Sequence, residues 1–247
     1  MNFLRAVYSV YVAILFLVLC TLGMPVYALA SFTSVKTCQQ VIAWYNRTSM
    51  RLWGVLAFMP ISIDGEEHRT HRAMVMVGNH CNLLDMPVTA AAIYQPTRVL
   101  AKAEFARIPV LGFLMSRFCV LVSRDSAASR KQSAEAMVAA LQSGESILVF
   151  PEGTRNRGKE PVQAFKDGAF RAAIAAQVPI QPFVQINMRC GQLFGKILFQ
   201  PYGLRVCYLP AIPTVGMTEE DVAMLRDQTR QAIDACLRAE DDWFKTH

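Results

Sequence analysis

AMVMVGNHCNLLD, residues 73–85, joins an apolar run to a histidine and an aspartate that lie five positions apart. The run from Ala73 to Gly78 is short and apolar, which is typical of a buried strand. His80 then lies where the strand ends and a helix begins, and Asp85 falls in the first turn of that helix. Side chains that carry chemistry often collect at this edge of an α/β sheet. The stretch therefore predicts both the class of fold and the place of its candidate active site.

The spacing lets the Asp85 carboxylate fold back to one nitrogen of the His80 imidazole. An imidazole with a reference pKa of about 6.5 is largely neutral at pH 7, and a carboxylate fixes its tautomer and stabilises the imidazolium. We interpret His80 as a general base. No GxSxG sequence is present, and Cys81 would point elsewhere on a strand or tight turn, so the nucleophile is expected to belong to the substrate. For Asn79, support of the loop that positions His80 and an ordinary turn or cap role both remain open.

Short apolar runs alternate with helix-forming stretches along the rest of the chain, which predicts an α/β fold. We expect a single mixed, largely parallel sheet flanked by helices, with neighbouring strands near the end. Strands are predicted at 73–77, 98–101, 118–122, 147–150, 180–186, 196–200 and 205–209. Helices are predicted at 87–94, 127–142, 164–176 and from Thr218 to about Leu237, where Thr218 resembles a helix cap.

An uncharged segment runs from Ala6 to Phe32, and about twenty apolar positions suffice for a helix to cross the hydrocarbon of a bilayer. We predict an N-terminal hydrophobic, membrane-anchoring helical segment. Gly23 and Pro25 are expected to kink it, or to let it dip into one leaflet and return. A cleaved secretory signal ending at Ala28-Leu29-Ala30 is the alternative interpretation.

Residues 35–58 mix tryptophans with basic side chains, which fits either an interfacial helix or an ordinary amphipathic helix packed on the domain. Lys36, Arg47 and Arg51 follow the apolar segment, and the positive-inside tendency places such residues in the cytoplasm. The predicted organisation is therefore a membrane anchor with interfacial helices at 1–60 and a catalytic domain at 61–247. That domain is expected to face the cytoplasm from the cell inner membrane.

The formal charge of +6 suits an anionic bilayer or a phosphorylated substrate. The basic residues are scattered, without the dense run or aromatic pattern of a nucleic-acid-binding protein, so no nucleic acid partner is expected. The seven cysteines are widely separated and include no CxxC pair, which favours reduced thiols over a disulfide framework or a zinc site. His68 and His71 lie in a polar loop beside Glu66 and Glu67 without a matching ligand elsewhere. No metal site is expected.

Several blocks in a fixed order resemble the glycerolipid acyltransferase family, specifically the lysophosphatidate (1-acylglycerol-3-phosphate) acyltransferases. The matching blocks are NHCNLLD (79–85), KAEFARIPVLG (102–112), FCVLVSRD (118–125), FPEGTR (150–155) and VPIQPF (178–183). They cover roughly residues 73 to 185. Phe105 departs from the commoner leucine, and Ser123 stands where an aspartate or asparagine often precedes the arginine, which leaves the orientation of Arg124 open.

The resemblance implies that His80 removes the proton of a glycerol hydroxyl as that hydroxyl attacks a thioester, while Asp85 holds the imidazole. Arg155 is the best candidate for gripping the substrate phosphate, because a guanidinium can bind two phosphate oxygens at once. Further candidates for this anion site are Lys102, Arg124, Gly153 and Thr154. Glu152 is expected to orient Arg155 or a substrate hydroxyl, and Glu104 to pair with a cation. A strand-ending turn with a solvated Glu–Arg pair is the alternative for this loop.

The implied reaction transfers a fatty acyl group to the sn-2 hydroxyl of lysophosphatidate and forms phosphatidate for phospholipid synthesis. Acyl-CoA or acyl-ACP would serve as co-substrate, without any other cofactor. Glycerol-3-phosphate or another lysophospholipid would suit the same phosphate site. A membrane-bound lipid or thioester hydrolase and a non-catalytic lipid-binding protein are the alternatives from other functional classes.

Overall fold

Seven strands in the described part of the chain form one sheet. The structure, a computed structural model, describes residues 2–102, 119–122, 127–193 and 195–246. The strands are β1 (Ile61–Asp64), β2 (Val75–Gly78), β3 (Thr97–Lys102), β4 (Cys119–Val122), β5 (Ser146–Val149), β6 (Ile180–Ile186) and β7 (Leu204–Tyr208). Their order is β1-β7-β6-β2-β5-β3-β4. Neighbours are parallel except for the antiparallel β6–β7 pair. The predicted single, mixed and largely parallel sheet is confirmed.

Helices cover both faces of this sheet. They are α1 (Asn2–Ser31), α2 (Val35–Leu56), α3 (Asp85–Ala92), α4 (Ala127–Gln142), α5 (Gly168–Ala176), α6 (Met188–Gly191), α7 (Val222–Glu240) and α8 (Asp242–Thr246). One apolar core joins the sheet to α4, α5 and α7, and a second joins its other face to α1, α2 and α3. We call these sides of the sheet the α7 face and the α1 face. A sheet with both faces covered explains why its central strands β2 and β5 are buried along their whole length and rich in apolar residues.

The N-terminal helix is continuous across the predicted interruption. It runs for 30 residues with Pro25 inside it. Gly23 allows α1 to approach α2 closely, because a Cβ at this position would lie 2.6 Å from a ring carbon of Tyr45. The hydroxyl of Tyr45 donates to the carbonyl of Leu19 at 2.7 Å, and the indole of Trp53 donates to the carbonyl of Val12 at 3.2 Å. The glycine therefore serves helix packing instead of breaking the helix.

The second helix packs on the domain along one side and is exposed on the other. Ser34 caps its start by accepting from the backbone N–H of Thr37 at 3.2 Å. Met50 lies buried in the α1-face core and Ile42 in a small cluster with Ala30 and Cys38, whereas Trp44 is exposed. The helix thus has the packed face of an amphipathic helix together with an outward apolar surface.

Two strands differ from the sequence prediction, and the helix predicted at 164–176 begins only at Gly168. Residues 196–200 were predicted as a strand, and this prediction was wrong: they belong to a loop that folds back on itself. Gly195 adopts a φ of +73° there, and the backbone N–H of Leu193 donates to the carbonyl of Leu198 at 2.9 Å. The missed strand β1 has only four residues, half of them exposed, and pairs with β7 from the far end of the domain. A strand this short shows no clear hydrophobic pattern, and its pairing with a distant strand cannot be seen in the local sequence.

The strand order sets the place of the candidate site. β6, β2 and β5 are neighbours and run parallel, so their carboxyl ends share one edge of the sheet. The segments that begin at Asn187, Asn79 and Phe150 therefore emerge side by side.

Near the chain end, Thr218 and Asp221 form the predicted cap before α7.

Candidate active site

His80 and Asp85 are in direct contact at this edge. Nδ1 of His80 lies 2.6 Å from Oδ2 of Asp85, which also accepts from the backbone N–H groups of Cys81 at 2.6 Å and Asn82 at 2.9 Å. The Asp85 side chain is 0% exposed and that of His80 is 22% exposed. An ionised carboxylate with three such contacts makes Nδ1 the protonated nitrogen of a neutral imidazole. Nε2 is then the nitrogen that can accept a proton.

The loop between these residues is held from both sides. The side-chain oxygen of Asn82 accepts from the backbone N–H of Leu84 at 2.9 Å, and its amide donates to the carbonyl of Met188 at 2.7 Å. The backbone N–H of Leu83 donates to Gln192 at 2.9 Å. These contacts fold the loop back, so that Asp85 reaches the imidazole from the first position of α3.

Asn79 extends the pairing of β2 with β6 beyond the strand. Its side-chain oxygen accepts from the backbone N–H of Gln185 at 2.8 Å, and its amide donates to the Gln185 carbonyl at 3.0 Å. The Gln185 amide donates in return to the Asn79 carbonyl at 2.9 Å. This geometry favours loop support over a helix cap for Asn79. Gln185 was missed, although a glutamine between apolar residues near the end of a predicted strand was a signal that could have found it.

Glu152 fixes the backbone of His80. Its carboxylate is 4% exposed and accepts from the N–H of His80 at 2.8 Å and from that of Gln163 at 2.9 Å. The N–H of Asn156 donates to the His80 carbonyl at 2.7 Å. Burial raises the pKa of Glu152, and the two N–H donors partly oppose that rise. The expected partners of Glu152 were Arg155 or a substrate hydroxyl. Its carboxylate instead holds the backbone N–H of His80.

Glu152→Gln is expected to lower the free energy of unfolding by about 1–3 kcal/mol, because an amide offers one oxygen for two buried N–H donors and leaves one of them unpaired. Denaturant unfolding in detergent measures this change. Glu220→Gln, on an exposed residue, is the matched control and should leave stability almost unchanged. Equal stability of the two variants would show that Glu152 does not hold the loop.

The turn after β5 brings Arg155 to the site. Gly153 adopts a φ of +75°, and a Cβ there would lie 2.6 Å from Nζ of Lys166. The N–H of Gly153 donates to the Phe150 carbonyl at 3.0 Å. This N–H is therefore used within the turn, and the close approach of an anion to the backbone of this loop, which Gly153 was expected to allow, stays a prediction. The ring of Phe150 stacks on the His80 imidazole with centroids 4.6 Å apart, which covers one side of the base with apolar surface.

Arg155, Asn156 and Arg157 form a ridge between two clefts. The larger cleft, of about 940 Å³, is lined by the ridge together with His80, Thr154, Gly158, Lys159, Glu160, Val162, Gln163 and Ala164. The smaller cleft, of about 320 Å³, is lined by the ridge together with Cys81, Asn82, Arg189, Gln192, Leu193, Gly195, Lys196 and Ile197. Arg155 thus borders both clefts and shares the larger one with His80. Thr154 lines the larger cleft and does not line the smaller one.

The family model described as Acyltransferase matches residues 60–185, which contain His80, Asp85 and Arg155. The chain belongs to the acyltransferase family.

Relatives of this acyltransferase carry a common description. The chain is 30% identical over 200 residues to the human 1-acyl-sn-glycerol-3-phosphate acyltransferase beta, covering 78% of this chain and 69% of the relative. It is 31% identical over 212 residues to the 1-acyl-sn-glycerol-3-phosphate acyltransferase of Haemophilus influenzae, covering 83% of each. The crystal structure of the 1-acyl-sn-glycerophosphate acyltransferase of Thermotoga maritima has the same fold. It matches with a TM-score of 0.75 at 19% identity, over 95% of this chain and 97% of that one.

Three predicted site residues are described in part or not at all. Lys102 ends β3, the neighbour of β5, so its backbone reaches the same edge of the sheet as His80. Glu104 and Arg124 lie outside the described residues.

Two further cations were missed by the sequence reasoning. Lys196 is exposed in the smaller cleft, and Arg189 is nearly buried beside it. The Arg189 guanidinium donates to the carbonyl of Glu160 at 3.1 Å and lies 4.6 Å from the ring centroid of Trp243. Both cations lie beyond the residues matched by the family model. Lys196 lies in the segment that was predicted as a strand, and Arg189 lies in the short helix α6 before it.

The thiol beside the dyad is not set up as a nucleophile. Sγ of Cys81 lies 3.5 Å from Oδ1 of Asp85. Burial and the Asp85 carboxylate raise the pKa of Cys81 well above its usual value. A thiol that stays protonated is a poor nucleophile. In the described part of the chain no group of three or more His, Cys, Asp and Glu side chains is arranged to hold a metal ion.

Proposed function

We propose that this acyltransferase moves a fatty acyl group from the thioester of coenzyme A or acyl carrier protein to the sn-2 hydroxyl of lysophosphatidate, forming phosphatidate. The observation that carries the proposal is the His80–Asp85 contact at the rim of the larger cleft, beside Arg155, which lines both this cleft and the smaller one. This arrangement places a base for a hydroxyl beside a cation for a phosphate. The descriptions of the human and Haemophilus influenzae relatives support the choice of acceptor.

In the proposed reaction, Nε2 of His80 takes the proton of the acceptor hydroxyl as the oxygen attacks the thioester carbonyl. The new C–O bond forms, the C–S bond breaks, and the electron pair leaves with the thiolate. Asp85 stabilises the imidazolium through Nδ1, and the imidazolium then returns its proton to the thiolate or to water. Burial and the Asp85 carboxylate raise the pKa of Cys81, which supports a direct transfer in which both substrates are bound together and no acyl group is carried on Cys81.

The acceptor phosphate is assigned to the smaller cleft. Phe199, close to that cleft in the chain, belongs to the α1-face core, and its N–H donates to the Ser9 hydroxyl of α1 at 2.8 Å. Ile197 is 72% exposed at the rim. A lipid held near α1 would reach this cleft first, where Arg155 and Lys196 present cations. Lys102, Arg124 and Thr154 remain proposed additional ligands of the substrate phosphates.

We propose that α1 and α2 attach the domain to a bilayer. By its length and composition, the helix α1 is long enough and apolar enough to cross a membrane. Its outward side chains are large and apolar: Phe3, Leu4, Val7, Val10, Ile14, Leu17, Leu22 and Leu29. An apolar surface of this extent on a helix suits lipid. The contacts of α1 with Trp53 and Phe199 favour an anchor at residues 1–60 over a cleaved signal. We place the catalytic domain, residues 61–247, on the cytoplasmic side of the inner membrane.

The test is an acceptor panel with the purified protein in mixed micelles, using a labelled acyl thioester. We expect the fastest transfer to lysophosphatidate and slower transfer to glycerol-3-phosphate and lysophosphatidylcholine. Faster transfer to either of these would reassign the acceptor within the same chemistry. Release of free fatty acid at the same rate without acceptor would identify a hydrolase, and no transfer to any glycerophosphate would refute the proposal.

A further inference from the structure

The two clefts lie on the two sides of the ridge formed by Arg155, Asn156 and Arg157. Val162, which lines the larger cleft, is buried in the core of the α7 face together with the nearby Phe165. Cys81, which lines the smaller cleft, packs against the core of the α1 face. The ridge at Arg155–Arg157 therefore stands above the edge of the sheet, with one cleft on each side of it. The larger cleft lies on the side away from the apolar helix α1.

The charge of the larger cleft is positive and its cations are accessible. Arg155, Arg157 and Lys159 line it and are exposed. Glu160 is the acidic residue of the lining, and Nη2 of Arg238 neutralises it from 2.7 Å. The cleft thus presents three guanidinium or ammonium groups whose charge its own acid does not cancel. Such a surface suits a ligand with several phosphate charges.

The size and lining of this cleft fit a soluble head group better than a fatty chain. Its volume of about 940 Å³ is close to three times the 320 Å³ of the smaller cleft. Large ligand pockets fall in the range of roughly 300–1,000 Å³. Apart from Val162 and Ala164, the side chains named for its lining are polar or charged. An acyl chain would gain little there, whereas a phosphate-bearing arm would find both room and counter-charge.

We propose that the larger cleft binds the phosphate-bearing phosphopantetheine head of the thioester donor, so that donor and lipid acceptor reach His80 from the two sides of this ridge. This inference rests on the proposed function and assigns its second substrate to a site. The phosphate next to the pantetheine arm is common to coenzyme A and to acyl carrier protein. Lys159, which borders only the larger cleft, is the residue that separates this site from the acceptor site.

The experiment compares Lys159→Glu with Lys131→Glu, which makes the same charge change on the 81% exposed Lys131 of α4. Lys159→Glu is expected to raise KM for acyl-CoA roughly tenfold, because it replaces an attraction for phosphate with a repulsion. KM for lysophosphatidate should stay unchanged, and so should the rate with an acyl-N-acetylcysteamine thioester, which carries no phosphate. Lys131→Glu should change none of these values.

Parallel arms with acyl-CoA and acyl carrier protein distinguish the two donors. A rise in KM for both supports contact with the shared phosphate, and a rise for one alone supports the cleft as that donor's site. An unchanged KM for every donor, a rise for lysophosphatidate instead, or an equal loss with the phosphate-free thioester would overturn the inference.

Failure of the proposed function gives a different result, because the wild-type protein would then transfer no acyl group to a glycerophosphate. Binding of coenzyme A, measured by calorimetry on the wild-type and Lys159→Glu proteins, still decides the inference in that case. Weaker binding in the variant supports the site, and equal binding, or none in either protein, overturns it.

Discussion

His80→Ala is expected to lower the turnover of acyl transfer by about 10²–10⁴-fold, the usual contribution of a general base. The substitution removes Nε2 and leaves the hydroxyl without a proton acceptor. The fold should persist, because Glu152 and Asn156 hold the backbone of residue 80 and do not depend on its side chain. Labelled acyl transfer to lysophosphatidate measures the loss, and circular dichroism checks the fold.

Two controls make this result specific. Added imidazole should restore part of the activity of His80→Ala by supplying the missing base in the open cleft. Cys81→Ala removes the neighbouring thiol and should keep most of the wild-type turnover. Full activity of His80→Ala, or a labelled acyl group found on Cys81 after incubation without acceptor, would contradict the role assigned to His80.

Arg155→Ala is expected to raise KM for lysophosphatidate by about 10- to 150-fold, which corresponds to the roughly 1.5–3 kcal/mol of a hydrogen bond to a charged group. Turnover at saturating acceptor should fall much less, since Arg155 does not touch the dyad in the described contacts. Arg155→Lys should give an intermediate KM, because an ammonium keeps the charge and loses the bidentate geometry. Initial rates over a range of acceptor concentrations measure both constants.

The matched acceptor for this test is monoacylglycerol, which has a free hydroxyl and no phosphate. If Arg155 binds the acceptor phosphate, Arg155→Ala should, at a saturating concentration of the donor thioester, transfer to monoacylglycerol as slowly as the wild-type protein does. A further loss with this acceptor would assign Arg155 to another step, such as positioning the donor or supporting the loop.

The sequence predicted the sheet and the dyad because both depend on local pattern. β6 was predicted at the bounds that the structure shows, and β2 and β5 within two residues. His80 follows a strand directly, so its place at the sheet edge needed no knowledge of distant contacts. Asp85 follows His80 by only five positions, so its contact with the imidazole could also be predicted from local sequence.

The supports of the site could not be predicted in the same way, because they join segments that are far apart in the chain. Gln185 bonds to Asn79 across 106 positions, and Glu152 bonds to the backbone of His80 across 72. A carboxylate that accepts from backbone N–H groups has no sequence signature, so Glu152 was expected to pair with Arg155. The loop around Lys196 looked like a strand because Ile197, Leu198 and Phe199 follow one another; Phe199 is buried beside Ser9 of α1, which only the fold brings there, and Ile197 is exposed.

The hydrogen bond between Ser9 and Phe199 has a consequence for the biogenesis of the protein. These residues are 190 positions apart, and a ribosome adding about 5–20 residues per second needs roughly 10 to 40 s to make the second after the first. β1 likewise waits for β7 before it can pair. During this interval α1 exists as an apolar helix without its partner in the domain. A bilayer can bury the apolar surface of α1 before the domain is complete, so we expect membrane insertion to precede the closure of the sheet. Where no membrane is supplied, we expect the newly made chain to aggregate.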